Sequence, residues 1–115
     1  MSGLTSHVLD TVAGRPAAGV GIVLVRLDGA ATVEVATAVT NADGRTDPPL
    51  LDADALVAGG TYELLFDLGT HFAATGAGGG FLGIVPVRFT VAAGTTALHV
   101  PLLASPWSYT TYRGS

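Results

Sequence analysis

Short apolar runs, broken about every ten residues by glycine, proline or an aspartate-glycine pair, recur along the whole chain. That punctuation restricts it to strands joined by tight turns. Residues 6–9 predict a short first strand, and Gly14-Arg15-Pro16 turns the chain. Residues 20–27 form a nearly continuous apolar run, expected as a central strand covered on both faces. Val33, Val35, Thr37 and Val39 alternate with other residues, the period of a half-buried strand. Asp43-Gly44 supplies the positive φ of a tight turn, and Pro48-Pro49 excludes regular pairing. One helical turn is predicted over 52–57, capped by Asp52. Tyr62, Leu64, Phe66 and Leu68 alternate again, and 69–75 reads as a short helix. Residues 85–91, 97–103 and 108–112 complete the strands, with Pro86 at an edge or bulge. The expected fold is all-β: a two-sheet Greek-key sandwich of seven to eight strands with one short helix, formed by residues 1–115 as a single domain.

Composition narrows the function. The chain is 49% hydrophobic, ample for a core, and only 12% charged. So little charge predicts that copies of the chain cover part of its surface, a homo-oligomer. All five basic residues are arginine, and the net charge is −4. That balance excludes nucleic acid as a partner and gives no signal for an anionic membrane. Without cysteine there are no disulfides, thiolate nucleophiles or zinc-thiolate sites. The N-terminal residues show no signal-peptide pattern and no apolar run approaches the ~18 residues of a membrane span, so the expected location is cytoplasmic. Residues 76–80 are glycine-rich but lack the spacing and lysine of a phosphate-binding loop.

A few polar residues call for an explanation. His7 stands in the first strand beside Val8 and Leu9. His99 interrupts an otherwise apolar strand, and a titratable ring there needs a partner or a role. His71 reads as a surface or interface residue. Three scattered histidines have no metal-ligand spacing, so neither a metal nor another cofactor is called for. Arg45 follows Asp43-Gly44. It is either an exposed turn residue paired with Asp43 or Asp47, or a guanidinium aimed at a planar polar ligand. The aspartates occupy turns and caps, and Gly-x-Ser-x-Gly is absent. Finally, three aromatics and an arginine crowd the last nine residues, ending in Tyr112-Arg113-Gly114-Ser115. A terminus of that kind packs against something instead of fraying.

Five segments occur in a recognisable order: Ser6-His7-Val8-Leu9-Asp10, Gly14-Arg15-Pro16-Ala17, Thr40-Asn41-Ala42-Asp43-Gly44-Arg45, His99-Val100-Pro101-Leu102-Leu103 and Tyr112-Arg113-Gly114-Ser115. Together they closely resemble 5-hydroxyisourate hydrolases, the enzymatic branch of the transthyretin-like family. The resemblance covers essentially the whole chain. It implies a transthyretin-type sandwich assembled as a homotetramer, a dimer of dimers with active sites in the channel between dimers. The implied substrate is the small molecule 5-hydroxyisourate, whose six-membered ring is opened to 2-oxo-4-hydroxy-4-carboxy-5-ureidoimidazoline. The family's motif residues fall on His7, Arg45, His99 and the 112–115 terminus. Three departures stand out: Ala97 replaces the first histidine of a His-x-His pair, Phe81-Leu82-Gly83 replaces Phe-Tyr-Pro, and Trp107 stands where tyrosine is frequent.

The chemistry follows from the residue types. Arg45 is expected to grip a ring N–C=O edge and offset charge on the attacked oxygen. The expected nucleophile is water. His7 and His99 are expected as its acid/base pair, since an imidazole pKa near ~6.5 suits proton transfer at neutral pH. Tyr112 is expected to bind substrate with His7 and Arg45. Ser115 is expected to act at the catalytic centre by fixing a histidine tautomer, and Arg113 to anchor the terminus. The competing reading is a non-catalytic carrier that binds a small aromatic ligand in the interdimer channel.

Overall fold

The structure, a computed structural model, describes residues 3–78 and 80–114. Among them the order of elements is β1 (Gly3–Asp10), β2 (Arg15–Pro16), β3 (Gly21–Asp28), β4 (Ala31–Val39), β5 (Thr61–Asp67), α1 (Leu68–Thr75), β6 (Ile84–Thr90), β7 (Ala97–Ala104) and β8 (Tyr109–Thr111). Two four-stranded sheets result, ordered β2-β1-β7-β8 and β4-β3-β5-β6. Their inner faces meet in one core. Leu4, Val8, Val100 and Leu102 come from the first sheet, and Ile22, Leu24, Tyr62, Leu64, Phe66 and Val85 from the second. This is the expected all-β sandwich, with eight strands and one short α-helix among the described residues.

Strand β1 is longer than the four residues expected. It runs parallel to β7 over its whole length, from Gly3↔Ala97 to Asp10↔Ala104. Gly3 has little strand propensity, and long-range pairing supplies what propensity does not. Ser6 is buried in the core and is satisfied there, its hydroxyl donating to the Val100 carbonyl at 2.7 Å. Strand β3 lies between β4 and β5, hence central, but only alternate residues such as Ile22 and Leu24 are fully buried. Among the described residues no second layer covers its outer face.

The alternating valines of β4 behave differently from expectation. Val33, Val35 and Val39 are exposed, while Ala36 and Ala38 pack against the core. Leu24 pairs with Ala36 and Val25 with Glu34, so Val35 is an extra, bulged residue in β4 and the period of two breaks there. The predicted turn near 52 is a single 3-10 turn, Ala53–Ala55, entered from Asp52 without a side-chain cap. The helix is capped by Asp67 instead, whose carboxylate accepts from the Thr70 N–H, and it ends on Gly76 with φ 72°. Pro86 lies in β6, an edge strand, where its missing donor costs no ladder bond.

Candidate active site

Alternation along β1 and β7 places the site. Leu4, Ser6, Val8 and Asp10 turn inward, so Thr5, His7 and Leu9 share the outer face. On β7, Leu98, Val100 and Leu102 turn inward and His99 outward. The parallel register sets Thr5 opposite His99 and His7 opposite Pro101. His99 therefore lies beside both Thr5 and His7. Its Nε2 stands 2.6 Å from His7 Nδ1, and its Nδ1 stands 2.7 Å from Thr5 Oγ1. The two rings are tilted by 30° with centroids 4.8 Å apart.

Arg45 reaches the same place through its backbone. Asn41 closes the turn, its side-chain oxygen accepting from the N–H groups of Asp43 and Arg45. Gly44 has φ 72°, and a Cβ there would lie 2.5 Å from the Val8 carbonyl, so only glycine fits. Its own carbonyl accepts from Val8 N at 2.8 Å. From there the chain runs antiparallel along the free edge of β1: His7 pairs with Arg45, Thr46 N donates to the Ser6 carbonyl and Leu50 N to the Leu4 carbonyl. Backbone pairing thus sets Arg45 level with His7.

The C-terminal segment closes the other side. Gly114 pairs with His99, its N–H donating to the His99 carbonyl at 2.8 Å. A Cβ at Gly114 would approach His99 Cδ2 to 2.8 Å. The tail therefore rests directly on the imidazole ring. Thr5, Arg45, His99, Arg113 and Gly114 line a cavity of about 440 Å³. Among the described residues no carboxylate lines it, while two arginines do.

These surroundings set the electrostatics. Burial pushes His7 below the ordinary 6.5, helped by the His99 ring and the Arg45 guanidinium. Burial and Arg45 do the same to His99. Both rings are held neutral near pH 7, the form that accepts a proton.

Of the residues singled out from sequence, His7, Arg45 and His99 come together. Tyr112 does not join them within the chain; it lines a separate cavity of about 260 Å³ with Val87, Phe89, Leu98 and Val100. Arg113, expected only to anchor the terminus, lines both cavities. Ser115 lies outside the described residues. His71 is not a surface residue: its side chain is 10% exposed and its Nε2 lies 2.9 Å from the carboxylate of Asp10. Sequence reasoning passed over Thr5, although its place two residues before His7 on a strand put it on the same face.

Known proteins share this arrangement of strands and sequence. A 5-hydroxyisourate hydrolase of Deinococcus radiodurans is 50% identical over 115 residues, covering 98% of this chain and 96% of that one. The structure of Klebsiella pneumoniae 5-hydroxyisourate hydrolase matches with a TM-score of 0.77 at 34% identity, with 100% of both chains covered. Sea bream transthyretin in complex with thyroxine gives 0.87 at 28% identity, covering 96% of this chain and 93% of that one. An (S)-allantoin synthase gives 0.88 at 41% identity; 99% of this chain matches, spanning 44% of that one. A sequence model of the HIUase/Transthyretin family matches residues 4–114, so the His7–His99 pair and its Arg45 neighbour lie wholly inside the matched region, and the chain belongs to that family.

Proposed function

We propose that the chain is a 5-hydroxyisourate hydrolase, its residues 1–115 acting as one hydrolase domain. It opens the six-membered ring of 5-hydroxyisourate to 2-oxo-4-hydroxy-4-carboxy-5-ureidoimidazoline. The observation that carries the proposal is the 2.6 Å contact between His7 and His99, with His7 paired to Arg45 and both Arg45 and His99 lining one cavity. Half of the residues are shared with a hydrolase of that name over nearly the full length of both chains.

Water adds to a ring carbonyl, the ring C–N bond breaks, and one water is consumed. A histidine takes a proton from the water as its oxygen bonds to carbon. Arg45 holds the N–C=O edge and stabilises the oxyanion. The same proton then passes to the leaving nitrogen. With His7 Nδ1 engaged by His99 and His99 Nδ1 engaged by Thr5, His7 Nε2 is the one ring nitrogen of the pair without a partner among the described residues. We assign it as the base. Tyr112 and Ser115, both within the terminal motif shared with the hydrolases, are the further candidates for contact with substrate.

The assembly we propose is a homotetramer, a dimer of dimers. The site opens on the outer face of one sheet, and the low charge content fits a surface covered by copies of the chain. The test of function is direct: 5-hydroxyisourate made in situ from urate and urate oxidase is followed by its ultraviolet absorbance. Faster decay with the purified protein supports the hydrolase. Tight binding of an aromatic ligand without hydrolysis would support the carrier instead.

A further inference from the structure

The mechanism above uses two imidazoles and leaves a third polar atom unexplained. Thr5 Oγ1 lies 2.7 Å from His99 Nδ1, and Thr5 is the register partner of His99 in the parallel ladder. Thr5 Oγ1, the two nitrogens of His99 and His7 Nδ1 form one unbroken row of hydrogen bonds. In a neutral imidazole one nitrogen donates and the other accepts. Fixing either end of such a row fixes every proton in it.

We propose that Thr5 is a positioning residue, whose hydroxyl oxygen accepts from His99 Nδ1–H and thereby keeps the lone pair of His7 Nε2 aimed at the attacking water. His99 with its proton on Nδ1 presents a bare Nε2 to His7. His7 then carries its own proton on Nδ1 and keeps Nε2 bare. When His7 Nε2 takes the proton of water, the new cation is held by the Nδ1–H bond to His99. When His7 gives that proton to the leaving nitrogen, the row returns to its starting state, with no net proton gained or lost.

A hydroxyl suits this post better than a carboxylate would. A carboxylate would hold the tautomer equally well but would raise the pKa of the ring it touched. The groups facing the pair are Thr5 from β1, Arg45 from the strap beside it, and Arg113 from the tail. With a neutral acceptor, burial and then the Arg45 guanidinium keep both rings below the ordinary 6.5.

The inference rests on the hydrolase reading, but its first test needs no substrate. In ¹⁵N-histidine-labelled wild-type protein, nitrogen shifts and long-range ring couplings should report His99 as the Nδ1–H tautomer. Thr5→Val keeps the shape and loses the hydroxyl; His99 should then populate both tautomers. With 5-hydroxyisourate, kcat of Thr5→Val should fall about tenfold at nearly constant KM, the factor that one net hydrogen bond of ~1.4 kcal/mol represents. Thr5→Ser should restore the tautomer and bring kcat within about threefold of wild type, a rescue that lost packing would not give. His99 found as the Nε2–H tautomer in wild type would overturn the proposal, even if Thr5→Val failed to fold. So would wild-type kcat in Thr5→Val, or a Thr5→Ser variant as slow as Thr5→Val. Wild-type protein that leaves 5-hydroxyisourate decay unchanged would refute the hydrolase reading, while the tautomer spectra would still decide what Thr5 does to His99.

Discussion

Gly114 shows how closely the C-terminal segment is fitted to His99. A single added methyl would meet the His99 ring at 2.8 Å and the His99 carbonyl at 3.1 Å. Both are closer than carbon and oxygen atoms normally approach, so Gly114→Ala should push the tail or the ring aside. Turnover should drop while the thermal unfolding midpoint stays close to wild type, since the contact lies outside the core; parallel kinetics and melting curves check this. The two histidines should set the pH response of the proposed hydrolysis. Both are held below 6.5, by burial first and then by neighbouring positive charge. The acid limb of kcat/KM, which titrates the free enzyme, should therefore have its inflection below 6.5. Arg45 contributes to both shifts, so Arg45→Gln should move that inflection upward as well as weakening substrate binding. A profile whose acid limb lies above 6.5 in wild type would contradict these surroundings. The same shifts mean that unfolded chains bind protons the folded rings refuse, so stability declines as pH falls through 6.5.

At the scale of elements, β1 is the organiser. It holds β7 along one edge, and β2 and the strap from Gly44 to Leu51 along the other. Its last residue, Asp10, ties in the helix. The buried carboxylate accepts from Val12 N and Ala13 N and pairs with His71 of α1 at 2.9 Å. Burial works to raise the pKa of Asp10, and the hydrogen bonds from Ala13, His71 and Val12 outweigh it, leaving it below 3.8. The stability this carboxylate contributes is therefore complete above pH 3.8 and is lost as pH falls through its folded pKa. His71→Ala leaves a buried carboxylate short of a partner. It should cost roughly 1–3 kcal/mol in urea unfolding and leave kcat unchanged. Much of this architecture was legible in the sequence because Asp-Gly pairs mark turns and Tyr62, Leu64 and Phe66 alternate along β5; Arg15 and Pro16, expected in a turn, instead form β2 and pair with β1. The parallel pairing of β1 with β7 was not legible, since 94 residues separate Thr5 from His99 and no local pattern records such a contact. The bulge at Val35 in β4 was hidden for the same reason, as was the Asp10–His71 pair. His7, Arg45 and His99 could be named from motifs. Thr5 could have been found only by applying the period of two to a strand already known to carry His7.

At the scale of the whole molecule, the outer surfaces carry apolar side chains. Edge strands β6 and β8 present Ile84 at 58% exposure and Tyr109 at 42%, beside Trp107 at 60%. Exposed apolar side chains on strand edges invite pairing with another copy. Multi-angle light scattering should give four times the chain mass of 11.5 kDa; a monomer would contradict the tetramer and the interdimer site with it. The site proposal itself stands or falls on one comparison, the ultraviolet decay of freshly generated 5-hydroxyisourate with wild-type protein and with folded His7→Ala. Wild type should clear the substrate far faster than its spontaneous decay, and His7→Ala should be slower than wild type by roughly 10²–10⁴-fold. Wild-type protein that leaves the spontaneous rate unchanged, or His7→Ala that matches wild type, would contradict a hydrolytic centre built on His7 and His99.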